Sequence, residues 1–233
     1  MQRAYSTQVS LMGLVTFLFA SGPVIAETIT NGAEFRNSPH MIDHLRKFEA
    51  ETLGQQGQQQ DKILGLQQGC TTGFSVKVID VGVIEPIEFA ENETHPAKGI
   101  WRIGYDMFRC GDTKRYNTLF KAMGGDVAPI FGQYYPGVTR ADVHLVRDTM
   151  RSVSIAASAL PTAPKDCNAF AVFDMKVLSP ANQQPGATWV EAWTIKKCNK
   201  LATATVTFIP DADGKGTSFG ISFPKNAFGE VTE

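Results

Sequence analysis

The chain has 233 residues, 43% of them hydrophobic, and its 22 basic and 23 acidic side chains leave a net charge of −1. That balance gives no electrostatic case for binding nucleic acid or an anionic membrane surface. The apolar content is that of an ordinary globular protein with a buried core.

Residues 1–26 read as a secretory signal peptide. Arg3 is the only charge before Glu27, the run from Leu11 to Ile25 is mostly apolar, and Val24-Ile25-Ala26 supplies small residues at a cleavage point. The run is broken by Ser21, Gly22 and Pro23 and falls short of the roughly 20 apolar residues of a membrane span. No later run approaches that length, so no transmembrane segment is expected after cleavage. The mature chain is expected to begin near Glu27 and to be exported: periplasmic in a Gram-negative host, secreted otherwise.

Residues 27–69 form an N-terminal helical segment and linker. Residues 27–37 are polar and read as loose. Asn37-Ser38-Pro39 offers a helix start, a capping residue followed by proline in the first turn. Met41, Ile42, Leu45, Phe48 and Leu53 then recur near helical spacing, which predicts an amphipathic helix over 39–53. Gly54 and Gly57 open the tract "GQQGQQQ", so 54–69 reads as a linker or a second helical stretch, with the glutamines on a solvated face.

From residue 70 to 233 the chemistry is that of strands. Phe74, Val76 and Val78 alternate with polar residues, as do Trp101, Ile103, Tyr105 and Met107. The stretch 111–123 lacks clean alternation and is compatible with a helical turn. "GGDVAPIFGQYYPG" at 124–137 reads as a loop. Thr139 caps a helix expected to run to about Ser158. Strands follow around Phe170–Phe173 and Trp189–Ile195, and a hairpin pairs Ala202–Phe208 with Phe219–Phe223.

Two stretches of this region match. Aligning Cys110 with Cys198 brings Trp101 onto Trp189, Tyr105 onto Trp193 and Phe120 onto Phe208, and each copy is preceded by a further cysteine, Cys70 or Cys167. The pattern predicts a quasi-repeat, 70–130 and 167–233, joined by the helix at 139–158. The fold class expected is α+β: a disulfide-braced antiparallel β domain of two similar halves after an N-terminal helical segment. Four cysteines behind an export signal read as two disulfides, with three possible pairings. The repeat favours Cys70–Cys110 and Cys167–Cys198, each closing a loop worth up to about 4 kcal/mol.

Motifs with catalytic overtones fail on context. Gly216-Thr217-Ser218-Phe219-Gly220 fits the nucleophile-elbow pattern, but a strand follows it and no histidine lies beyond His144. His40-Met41-Ile42-Asp43-His44 resembles an inverted zinc-protease motif with an aspartate one methylene too short, and reads as a solvated helix face. Asp211-Ala212-Asp213-Gly214 opens like a calcium loop but lacks the later ligands, and a hairpin turn explains it. Asn92-Glu93-Thr94 is a glycosylation sequon, relevant only in a host that uses it. Glu191 and Arg102 stand at neighbouring matched positions and are expected to form a salt bridge. No catalytic, cofactor-binding or metal-binding residue is assigned, and no cofactor is expected.

Phe131, Tyr134 and Tyr135 put three aromatics in one loop and are the candidate partner-binding residues. The function expected is that of an exported, non-catalytic binding or assembly protein with a protein or envelope-component partner. The alternatives are a hydrolase of envelope or extracellular polymer acting through unidentified carboxylates, and a small-ligand carrier with a pocket between the two halves.

Overall fold

The computed structural model describes residues 25–66, 74–166, 168–180, 184 and 186–229. The chain begins with strand β1 (Ile25–Ile29), helices α1 (Gly32–Asn37) and α2 (Pro39–His44), a π-helical turn (Leu45–Glu49) and helix α3 (Ala50–Leu64). Strands β2 (Ser75–Ala90), β3 (Lys98–Arg109), β4 (Asp112–Lys121) and β5 (Ile130–Tyr134) follow. β1 to β5 make one antiparallel sheet in chain order. After helix α4 (Val143–Ala159), strands β6 (Phe170–Val177), β7 (Trp189–Lys197), β8 (Lys200–Pro210) and β9 (Thr217–Ser222) make a second, again in chain order. The protein is mostly antiparallel β, with a few helices covering two sheets.

Each sheet has its own core. In the first, Trp101, Ile103, Tyr105 and Met107 all point to the side covered by α1–α3 and are wholly buried, among Phe35, Met41, Leu53 and Leu64 of the helices. Removing an apolar side chain of this size from water is worth about 1.5–3 kcal/mol, so the alternation of β3 alone fixes which face the helices cover. In the second core, Val146, Met150, Val153 and Ala157 of α4 lie against Trp193, Ile195, Ala204, Val206 and Phe208.

Several expected elements differ. Residues 27–37 are not loose. Glu27, Thr28 and Ile29 pair with Phe89, Glu88 and Ile87, and the Asn31 carboxamide caps α1 by accepting from the Ala33 and Glu34 amides. β1 begins at Ile25, two residues before the expected mature start, and those three pairs lie beyond that point. Of the two readings of 54–69 the helical one holds as far as Leu64: the glutamine tract is the middle of α3. Its glutamines are not all on a solvated face, since Gln55 and Gln59 are exposed while Gln56 and Gln60, with Asp61 beyond them, are buried. Gly57 costs the helix about 1 kcal/mol in propensity. It does so where a Cβ would lie 2.6 Å from Met107 Sδ, so glycine lets the helix sit this close to the sheet.

Residues 112–121 form a strand rather than a helical turn. The alternation of Tyr116, Thr118 and Phe120 is masked because Asn117, on the other face, is buried as well. The supposed loop 124–137 contains β5, and α4 begins at Val143, capped by Asp142 rather than Thr139.

The two sheets are stitched where β5 runs on. Gly137 N donates to Arg115 O at 3.1 Å on the β4 side. On the β6 side Met175 N donates to Pro136 O at 3.0 Å and Val138 N donates to Met175 O at 2.7 Å. Gly137 has φ +95, and a Cβ there would meet Met175 O at 2.2 Å, so the junction admits only glycine.

Candidate functional site

Among the described residues β5 is an edge strand that pairs with β4 alone, and Ile130, Phe131, Gly132 and Gln133 are all exposed. Arg115 turns its carbonyl away from β3 towards Gly137. Alternation along β4 therefore points Asn117, Leu119 and Lys121 at β5, and their partners Tyr134, Gly132 and Ile130 point back. The backbone groups of Phe131 consequently face the open edge. Phe131 is 48% exposed and Ile130 53%, with Met123 and Val127 half-exposed on the connection before the strand. Phe131 leans on Phe120, with ring centroids 6.3 Å apart and planes tilted by 52°.

The other two candidate aromatics sit differently. Tyr134 and Tyr135 are half-buried, 5.1 Å apart, and packed against the second core. Among the described residues the buried Tyr134 hydroxyl has no hydrogen-bond partner, and burial holds its pKa above the usual phenol range. Of the aromatic trio, Phe131 is exposed and the two tyrosines are half-buried.

Beyond the stitch a second feature opens. Among the described residues, Asp112–Lys114 of β4 have no strand on their outer side, because β5 pairs with Asn117–Lys121 and its continuation reaches back only to Arg115. Across from them runs the outer edge of β6. Between the two lies a cavity of about 550 Å³ lined by Asp106, Thr113, Lys114, Arg115, Gly137, Asp174, Lys176 and Val177, among others. Arg115 Nε bonds Asp106 at 2.6 Å and Lys176 Nζ stands 3.5 Å from Asp174. Lys114 Nζ sits 4.3 Å above the Phe173 ring, with no carboxylate within 4.0 Å among the described residues. Burial lowers its pKa. A smaller cavity of about 200 Å³ lies on the other side of the stitch, between α3, β5 and β6. An apolar one of about 520 Å³ lies between α2, α3 and the start of β2, within the first half of the molecule.

Each core also contains a buried carboxylate that sequence reasoning missed or misplaced. Asp61 of α3 accepts from the Tyr116 hydroxyl and lies 2.8 Å from Arg109 Nε; all three are buried. Burial raises the Asp61 pKa above its ordinary value, against the pull of Tyr116 and Arg109. Burial likewise pushes Tyr105 up to about 12. Glu191 in β7 is wholly buried and forms no salt bridge with Arg102. Instead it accepts from the Trp189 indole at 2.9 Å, the Trp193 indole at 2.7 Å and the Arg140 amide at 2.8 Å. Arg102 bonds Asp80 and Asn117 on the outer face of the first sheet. The two matched positions point into different layers, which is why they do not meet.

The remaining motifs fall into structural places. His40 is exposed and bonds Glu27 at 2.8 Å. His44 is not on a solvated face: it is 1% exposed, edge-on to Phe89, His95 and Trp101. Among the described residues no three His, Cys, Asp or Glu side chains gather as a metal site. Ser218 lies in β9 opposite Ile209, Asp211–Gly214 forms the β8–β9 turn, and Asn92 sits in a turn with φ +64.

Cys110 and Cys198 each take the first position of a two-residue hairpin turn, with φ of +43 and +57. Both are disulfide-bonded, and no described cysteine is free. Cys70 and Cys167 lie outside the described residues, and with them the expected pairings.

Among the described residues no helix is long and apolar enough to cross a membrane. No protein-family model matches the chain, and neither a curated protein nor a solved structure does.

Proposed function

We propose that this is an exported, non-catalytic binding or assembly protein that recognises a protein or envelope component through the outer edge of β5. The observation that carries the reading is that edge: a five-residue strand, open on one side, with Ile130 and Phe131 half-exposed and apolar. Open edges of this kind invite pairing with another chain unless charge, proline or a cover blocks them, and β-strand addition is a common mode of peptide recognition. β5 itself carries no charged residue and no proline.

Export is supported by the N-terminal signal pattern and by two cysteines in disulfides, which persist outside reducing compartments. The pairing we propose, Cys70–Cys110 and Cys167–Cys198, ties each hairpin turn back to the chain entering its own sheet. A carrier with an apolar pocket between the halves has less support. The apolar cavity there is about 200 Å³, under the roughly 300 Å³ at which ligand pockets usually begin.

A photo-crosslinking residue placed at position 131 in the producing cell tests the edge. A discrete adduct from position 131, absent from position 155 on the exposed face of α4, is the expected result. No adduct at 131, or the same adduct from both positions, overturns the assignment.

A further inference from the structure

The cavity beyond the stitch is bounded by two strand edges and closed at one end. Arg115 directs its backbone outward from β4, and Thr113, two residues earlier, shares that side. On β6, Met175 directs both its N–H and C=O to the 136–138 segment, and Val177, two residues on, shares its side. Residues 136–138 occupy the slot at Arg115 and Met175, then the chain leaves towards α4. The space they vacate is the cavity of about 550 Å³, within the usual range of ligand sites. An extended segment entering between Thr113 and Val177 finds hydrogen-bonding edges on both sides, and must end where residues 136–138 block the way.

The charges choose which end. Three cations of the lining, Lys114, Arg115 and Lys176, face two carboxylates. Asp106 pairs with Arg115, Asp174 pairs with Lys176 and also attracts Lys114, and Lys114 is the cation with no direct ion pair among the described residues. We propose that this slot binds the free C-terminus of an extended peptide from another chain, its backbone laid between β4 and β6 and its terminal carboxylate on Lys114. Lys114 is half-buried on the Phe173 ring, a cation partly removed from water on which Asp174, Asp61 and Asp112 act only from beyond ion-pair distance. A carboxylate at that point compensates the lost hydration, and it also opposes the depression of its pKa by burial. This site is independent of the β5 edge.

The test is equilibrium capture from a random pool of N-acetylated hexapeptides by the purified protein, read by mass spectrometry. The pool is offered once as free acids and once as C-terminal amides. Enrichment of free acids at least tenfold over amides is expected. Lys114→Met, with its fold checked by circular dichroism, is expected to abolish that preference. Lys215→Met, at a remote and exposed cation, and Phe131→Lys, on the β5 edge, are expected to keep it. Equal capture of acids and amides, retention of the preference by Lys114→Met, or no enrichment of either pool overturns the proposal.

Discussion

In the first sheet Trp101 stacks on Phe120 at 5.6 Å, and Phe120 meets Phe131 on the next strand at 6.3 Å. In the second, Trp189 stacks on Phe208 at 4.7 Å, and Phe208 meets Phe219 at 6.4 Å. Each row crosses three adjacent strands, and a disulfide-bonded cysteine stands at the hairpin turn between the first two. The sheets part company over buried charge. The first receives a carboxylate from outside, Asp61 of α3, and supplies Tyr116 and Arg109 to hold it. The second carries its own carboxylate, Glu191, and holds it with two indoles and a backbone amide. The lesson is that a shared aromatic frame leaves the helix–sheet contact free to differ: α3 is pinned by an ion pair, whereas α4 rests on apolar packing.

That contrast can be broken from either side. Among the described residues, Asp61→Ala leaves the buried Arg109 with the exposed Asp112, 3.6 Å away, as its one remaining paired carboxylate. We expect a loss of about 3–5 kcal/mol, the usual cost of stranding one partner of a buried pair, measured by urea unfolding. A loss under about 1 kcal/mol would mean that α3 is not held by this contact. Glu191→Ala leaves two indole N–H groups and the Arg140 amide without their acceptor. At about 1–3 kcal/mol for a buried unsatisfied donor, a loss of about 3 kcal/mol is expected. Glu191→Gln, which keeps one acceptor oxygen, should cost about half as much.

Titration sharpens the same contrast. Burial raises the Asp61 pKa in the folded state above its ordinary value of 3.8. The stability linked to this group is therefore full below that value and declines as pH rises through the folded pKa. The stability of the wild type relative to Asp61→Asn should fall as pH rises from about 3 in a series of denaturant titrations; a flat or rising difference contradicts the assignment. The smallest effect belongs to the shared frame. Phe120→Leu removes ring contacts with Trp101 and Phe131, and Phe208→Leu removes those with Trp189, Trp193 and Phe219, the stacked pair in each row being worth about 0.5–1.5 kcal/mol beyond area. Similar losses in both would show that the two rows contribute alike.

The aromatic rows were legible because strand alternation and the spacing from tryptophan to cysteine both survive in one dimension. The Asp61 site was not, because an aspartate after a run of glutamines carries no local mark of burial. What buries it is Gly57, which reads as a helix breaker yet brings α3 close to Met107. β5 was hidden by the glycines and proline around it, and by aromatics that split between solvent and the second core. The slot beside Lys114 was out of reach for a different reason: it depends on where β5 stops pairing with β4, a matter of register between distant segments. Glu191 and Arg102 show the same limit, since matched positions in two halves need not be neighbours in space.

The central claim is that two aromatic hairpins are each closed covalently within their own half after the chain leaves the reducing cytosol. Peptide mapping of the purified protein without reduction tests it most directly. The account predicts two linked fragments, one joining Cys70 to Cys110 and one joining Cys167 to Cys198, with the N-terminus at Glu27. Free thiols, or a bridge that joins the first half to the second, would contradict it.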